Sequence, residues 1–348
     1  MKFKAQKMKA MVLTQVNDLE VEKKPLVFQS CPIPSPQKEE ILLKVSACGV
    51  CHTELDEIEG RTTPPVLPVI LGHQVVGTVV EKGKNADLHK IGDRLGVGWI
   101  FASCGKCQFC KSGNENLCRS FKATGRDANG GYAEYMCVHQ AYAFNIPEVF
   151  TDEQAAPLMC AGAIGYRSLR LTELKNGQKL GLMGFGASAQ LVLEMINHQF
   201  PETRTYVFAR NEKERRLALM SGAVWAGDIP DGAPEKLHAI IDTTPAWKPV
   251  KESLKNLEAG GRLVINAIRK EDKDKDELMS LNYETHLWEE KEIKSVANVA
   301  KRDIAEFLSL AAAIPIIPEV ESYDLEDANA ALLAIKEKNI KGAKVLKL

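Results

Sequence analysis

Short alternating and apolar stretches, separated by irregular links, fill the first part of the chain. Residues 10–14 and 41–47 read as strands, and 74–81 and 94–99 as two more, with glycine-containing turns between them. GGYAEY, residues 130–135, opens a further strand hairpin. Many short strands of this kind predict a barrel-like β domain. Residues 1–7 read as an extension before it. The pattern changes after residue 152, where alanine and apolar positions continue with helical spacing to 171.

It changes again after Gly177. A short apolar strand at 179–183 is followed by a Gly-rich turn, a helix-like run at 189–198 and a second strand at 205–209. Further units follow: strands at 239–242 and 262–268, a helix at 250–257 between them, and Gly260-Gly261 as the turn into the later strand. KEDKDKDE, residues 270–277, is a charge run that reads as a solvated loop. Helical sequence returns at 303–313, and a segment 325–338 and a strand at 343–348 close the chain. Alternation of strand and helix over this half predicts a doubly wound α/β unit.

Composition narrows the partners. The chain has 348 residues, enough for two cores. Its 45 basic and 46 acidic residues balance, which excludes a polyanion-binding surface and so argues against nucleic acid and anionic membrane. No apolar run approaches the roughly 18 residues of a membrane span. The basic start MKFKAQKMKA is not followed by a signal-peptide core. A cytoplasmic location is the expectation, and disulfides are rare there. Nine cysteines then need another use.

Four of them cluster. Cys104, Cys107, Cys110 and Cys118 lie in SCGKCQFCKSGNENLC, a tight Gly-containing loop. Four thiolates at this spacing match a closed tetrahedral zinc site, although an iron–sulfur cluster takes the same ligands. A closed site has no open position, so its role is structural. Cys51-His52-Thr53 and Gly72-His73-Gln74 supply a second thiolate and an imidazole, a zinc pair by ligand preference, across a loop made rigid by Pro64, Pro65 and Pro68. Cys160 is isolated in sequence and by itself reads as a small buried residue. Gly184-Phe185-Gly186-Ala187-Ser188-Ala189 sits between a strand and a helix, where GxGxxA is a dinucleotide fingerprint. Gly184 permits the turn, Gly186 lets a pyrophosphate approach, and Ala189 lets helix and strand pack.

The order CHT, GHQ, GDR, four-Cys lobe, GGYAEY, CAG and GxGxxA resembles the zinc-dependent alcohol dehydrogenases of the medium-chain dehydrogenase/reductase superfamily, in the branch related to cinnamyl alcohol dehydrogenases. The resemblance runs from about residue 8 to 348. It implies a GroES-like β-barrel catalytic domain from 1–158 and 297–348, and a Rossmann domain from 159–296. It implies that Cys51, His73 and Cys160 ligate a catalytic zinc, with two zinc ions per subunit in all. Thr53 then resembles the hydroxyl that takes the alcohol proton, His52 a contact to the cofactor pyrophosphate, and Glu54 the acid that holds the His73 imidazole. The implied reaction is hydride transfer between a primary medium-chain or aromatic alcohol and a nicotinamide cofactor. A polyol dehydrogenase typically has Glu where Cys160 stands. An inactive zinc- and cofactor-binding relative is the alternative outside catalysis.

This chain departs from the pattern in four places. Gln74 replaces the Glu of GHE, Asp56 stands where many relatives have a relay His, and Ile164 stands where Thr is usual. The C-terminal pyrophosphate Arg has only Lys341 and Lys344 near its place. Trp99, Phe101 and Thr62 are the expected pocket residues. At the end of the second Rossmann strand, Ala209 stands where an NAD site wants an acid. Arg210 follows, then Lys213, Arg215 and Arg216, and Glu212 lies beyond the strand end. That favours NADP(H). Relatives pair through the outer strand of the Rossmann sheet, expected near 262–268 or just after it, which predicts a homodimer or a tetramer of dimers.

Overall fold

The computed structural model describes residues 6–314, 316–337 and 342–348. The chain divides into two compact units, Met1–Cys160 with Val299–Leu348, and Ala161–Asn298.

The first unit is organised by the strand Glu40–Gly49. Its residues do not alternate strictly: Ile41, Leu42, Leu43, Val45, Ala47 and Cys48 are all buried. That is the signature of a strand covered on both faces. Along one edge it pairs antiparallel with Gln74–Lys82, with register shifts between Leu42/Leu43 and Val45/Ala47. Such irregularities bend a strand. Its other edge is shared, Tyr135–His139 taking residues 40–44 and Ala343–Lys347 taking 47–49. Arg94–Val97, Ala143–Asn145 and Val320–Asp324 complete a seven-stranded sheet, and Leu26–Pro32, Lys7–Leu13 and Val69–Ile70 form a three-stranded one.

The second unit is a six-stranded parallel sheet. Its order is Trp225–Gly227, Arg204–Phe208, Lys179–Met183, Leu237–Asp242, Leu257–Ile265, Glu292–Ser295. Strand order reverses between Lys179–Met183 and Leu237–Asp242, which makes their carboxyl ends the topological switch point. The core is built on Met183, Tyr206, Phe208, Ile240, Val250, Leu254 and Leu263. Among the described residues no helix is long and apolar enough to cross a membrane.

Several elements differ from the sequence reading. The strand expected at 262–268 is Leu257–Ile265; Gly260-Gly261 lie inside it, at a register shift, rather than before it. It is not the sheet edge either. The edge on this side is the next strand, Glu292–Ser295, as the expectation of a strand near 262–268 or just after it allowed; its four residues are all exposed, so no apolar pattern marks it. The first strand starts at Lys7, within the expected extension. The charge run at 270–277 is largely exposed, as expected, but some of its charges are engaged rather than spare. Asp274 accepts the backbone N–H groups of Trp247 and Lys248 at the start of the helix Lys248–Asn256, and Glu277 pairs with Lys251. Charges that look spare in sequence are used by a helix terminus and by an opposite charge.

Candidate active site and metal centres

The strand Glu40–Gly49 delivers Cys51 to the start of the helix His52–Ile58. Gly49 faces Gln74 across the sheet, and a Cβ there would lie 2.2 Å from Gln74 Oε1. Glycine therefore lets the Gln74 amide lie over the backbone beside Cys51. His73 follows Gly72, whose φ is +97° and whose added Cβ would lie 2.4 Å from the Tyr132 ring. Cys160 arrives differently. The helix Asp152–Pro157 runs into a wide π-type turn, Leu158–Gly162, before the helix Ala163–Thr172 begins. Such turns recur at functional sites because they displace one side chain from the helical ladder.

These three segments bring one ligand atom each from Cys51, His73 and Cys160 to within 4.8 Å of one another. Glu54 arranges them. Its Oε1 lies 2.5 Å from His73 Nδ1, and its Oε2 accepts the Cys51 backbone N–H at 2.9 Å. One carboxylate thus fixes the ring tautomer and the start of the helix. With Nδ1 committed, Nε2 is presented, and it is buried with no hydrogen-bond partner among the described residues. In the metal-free chain the Cys160 contact, opposed by burial and aided by His73, holds the Cys51 thiol well below its ordinary range. The same contact, with burial, pushes Cys160 well above its own. A divalent cation at this cluster would favour both sulfurs as thiolates. An orphaned imidazole nitrogen and two thiols make a donor set that suits zinc with a fourth position left open.

The other candidates on this helix differ in setting. Thr53 Oγ1 is 3.6 Å from Cys51 Sγ. His52 is exposed. Asp56 is buried, and its carboxylate accepts from Arg61 Nε at 2.5 Å. Sequence reading passed over Glu57. It is fully buried, and neither of its oxygens has a hydrogen-bond partner among the described residues. All three acids of this helix, Glu54, Asp56 and Glu57, are buried, and a charged residue type gives no sequence signal for burial.

The lobe gathers Cys104, Cys107, Cys110 and Cys118, again within 4.8 Å. Gly105 and Gly113, at φ +68° and +69°, turn the chain tightly around them. The backbone N–H groups of Cys104 and Ser120 point at Cys118 Sγ, at 3.5 and 3.4 Å. N–H donors from Lys106 and Cys107 bring the Cys104 thiol down to about 6. Such a set fits a closed thiolate site for zinc.

In the second unit, Gly184 has φ +81°, a left-handed conformation that glycine takes without strain. A Cβ on Gly186 would meet nothing within 4 Å, so that face of the turn is open. Ala189 is fully buried in the first turn of the helix Ala187–Gln199.

Residues 37–148 match the alcohol dehydrogenase GroES-like domain family. The chain is 39% identical over 327 residues to the probable alcohol dehydrogenase AdhA of Mycobacterium tuberculosis (strain CDC 1551 / Oshkosh), covering 92% of each. It is 31% identical over 350 residues to an alcohol dehydrogenase of Geobacillus stearothermophilus, covering 98% of this chain and 100% of that one. The chain belongs to the zinc-type medium-chain alcohol dehydrogenases. Its fold matches that of the CAD of Helicobacter pylori, solved with NADP(H), at a TM-score of 0.83, 23% identity and 98% coverage of both chains. It is thus an α/β oxidoreductase of GroES-like and Rossmann type.

Within this alcohol dehydrogenase the basic residues after Ala209 separate. Arg215 Nη1 donates to the carbonyls of Ala209 and Arg210 at 2.7 and 3.0 Å, and Arg216 pairs with Glu212. Arg210 is exposed and has no ion-pair partner among the described residues. Lys344 is buried against Glu321, while Lys341 lies outside the described residues. Of the expected pocket residues, Trp99 packs against Phe121 with ring centroids 5.6 Å apart. Thr62 is half-buried, with its hydroxyl unpartnered. Phe101 lines a cavity of about 400 Å³ with Cys31, Pro68, Tyr135 and Cys137, and none of the Cys51, His73 and Cys160 cluster lines it.

Proposed function

We propose that this dehydrogenase interconverts primary medium-chain or aromatic alcohols and their aldehydes, with two zinc ions per subunit and NADP(H) as its preferred cofactor. The observation that carries the reading is the convergence of Cys51, His73 and Cys160 with His73 Nε2 buried and unpartnered. Those three residues hold the catalytic zinc, and Cys104, Cys107, Cys110 and Cys118 hold the structural one. When bound, the catalytic zinc supplies a Lewis acid that polarises a substrate oxygen and lowers the pKa of its hydroxyl.

The chain's own groups do the rest. Glu54 holds the His73 ring through Nδ1. The Thr53 hydroxyl would take the alcohol proton, and a bound nicotinamide cofactor would supply the hydride acceptor. Asp56, ion-paired with Arg61, is the group through which that proton leaves toward solvent. Gly184, Gly186 and Ala189 would seat the pyrophosphate at the helix Ala187–Gln199. The resemblance also implies His52 as a cofactor-binding residue. Arg210, exposed at the end of the second strand with no neighbouring acid in the strand, binds the 2′-phosphate. Arg215 is spent on backbone carbonyls, which leaves Arg210 the principal guanidinium for that task.

The exposed strand Glu292–Ser295 supports assembly through this edge as a homodimer, or a tetramer of dimers. Ile293, Tyr283 and Trp288 are exposed in or beside it. A monomer by sedimentation at micromolar concentration counts against it.

The test of function is a panel of aldehydes with NADPH and NADH, beside zinc counts per chain. Turnover of aromatic and medium-chain aldehydes with NADPH is expected. No turnover on any member with two zinc ions bound overturns the activity. Arg210→Ala should cost about 1.5–3 kcal/mol of NADPH affinity and spare NADH. Equal losses for both cofactors, or a native preference for NADH, remove the phosphate role.

A further inference from the structure

Lys270 opens the charge run that follows the strand Leu257–Ile265. Its side chain is only 8% exposed. The ammonium pairs with Asp242 Oδ2 and donates to the carbonyls of Thr244 at 2.8 Å and Ala246 at 3.0 Å. Three acceptors use its three N–H groups. Asp242 is the last residue of the strand Leu237–Asp242 and is fully buried. Its other oxygen accepts from Thr244 N and Thr244 Oγ1 at 2.9 and 2.7 Å. Two backbone bonds tie the same segments, Asn266 N–H to Asp242 O and Glu271 N–H to Pro245 O, both 2.7 Å.

What this strap lies against gives it a purpose. Asp242 stands opposite Met183, the residue before Gly184. Thr243 donates to the Met183 carbonyl from N and from Oγ1, at 3.0 and 3.1 Å. A Cβ added to Gly184 would lie 3.0 Å from Thr243 Oγ1 and 3.0 Å from Thr244 Cγ2. The residues 242–244 are therefore one wall of the glycine turn, at the switch point of the sheet. A carboxylate there has the wrong sign for a pyrophosphate, and charges interact strongly in so buried a place. Burial pushes the Asp242 carboxyl up, against Lys270 and Thr244, which draw it down.

A buried ion pair is weak evidence of a stabilising device, because apolar side chains of similar volume often serve as well. The location of this one argues for another role. We propose that Lys270 is a positioning residue for the dinucleotide: it closes Asp242 into a neutral pair and straps residues 242–246, so that the wall of the Gly184–Gly186 turn accepts phosphate. The proposal rests on that turn binding the cofactor.

The probe is ADP-ribose, which carries the pyrophosphate and no reactive ring, titrated calorimetrically into the full chain. Lys270→Met should weaken binding about tenfold by baring the Asp242 charge. The double variant Lys270→Met/Asp242→Asn, which removes both charges, should return to within about threefold of wild type. Asp242→Asn alone should bind at least as tightly as wild type, since it leaves an uncancelled positive charge. Unchanged affinity in Lys270→Met overturns the proposal, and so does a double variant as weak as the single one. Should Lys270→Met not fold, the other two variants decide: either one binding ADP-ribose tenfold worse than wild type overturns it. Wild-type protein that binds neither ADP-ribose nor 2′-phospho-ADP-ribose removes the cofactor reading of the turn and the proposal with it. Binding by wild type with no rescue in the double variant removes only the proposal.

Discussion

The cysteine lobe and the Cys51, His73 and Cys160 cluster belong to the same unit and are built in opposite ways. The lobe draws four ligands from residues 104–118, three of them half-exposed, with one short helix, Gln108–Lys111, that buries nothing. Among its ties to the rest of the unit, Glu115 accepts the Lys301 N–H at 2.7 Å, and Ser103 meets the Tyr142 hydroxyl at 2.6 Å. The cluster draws three ligands from distant segments, each held by a strand, a glycine or a helix end. On the proposed reading, a metal in the lobe would make the structure, whereas in the cluster the structure would make the metal site and leave the binding energy for chemistry.

Removing one ligand from each tests that contrast directly. Cys160→Ala should lower turnover by at least about a thousandfold, since several kcal/mol of oxygen polarisation go with the metal. Its fold and lobe metal should persist, so zinc should fall from about two per chain to about one. Full activity in this variant removes Cys160 from the ligand set. Cys107→Ser should act the other way. The lobe zinc should be lost and the thermal midpoint should fall, on the order of 10 °C. An unchanged midpoint and metal content deny the structural role.

Glu54→Gln probes how far the protein prearranges the cluster. The amide can still meet His73 Nδ1–H with its oxygen, but its NH2 then confronts the Cys51 N–H. Zinc retention against a chelator should drop about 10–100-fold at this site, as for other groups that orient metal ligands, and not at the lobe. Equal retention at both sites contradicts the arrangement.

The same contrast explains what the sequence could tell. The lobe was legible because its ligands are neighbours along the chain. The glycine turn was legible because strand, turn and helix are contiguous. Cys160 was not, because a π-type turn and a distance of 109 positions from Cys51 leave no local pattern; only the resemblance to a family pointed to it. The edge strand Glu292–Ser295 escaped because its exposed residues carry no alternation. Lys270 and Glu57 escaped for a common reason. Periodicity reports apolar burial, and both bury a charge-bearing group.

Glu57 gives the smallest expected effect and the sharpest view of the cluster's surroundings. Gln74 stands where the GHE pattern of the resemblance implies a carboxylate, and Glu57 adds a buried carboxyl one turn after Glu54. The Trp99 indole N–H faces it, though neither completes a hydrogen bond. Burial first, and the Glu54 charge second, push the Glu57 carboxyl well above its ordinary range. The folded chain therefore keeps a proton here that the unfolded chain releases once pH passes the ordinary value of 4.5. Where the native state binds more protons, stability falls as pH rises. Wild type should carry this loss from about pH 5 upward, and Glu57→Gln, with no proton to release, should not. The variant should retain zinc, since a neutral amide resembles the neutral acid in size and hydrogen bonding. Its thermal midpoint relative to wild type should rise between pH 5 and pH 8, by roughly 3 °C for each kcal/mol relieved. A difference that stays constant across that range means Glu57 is ionised in the fold, and the cluster then has a second carboxylate beside it after all.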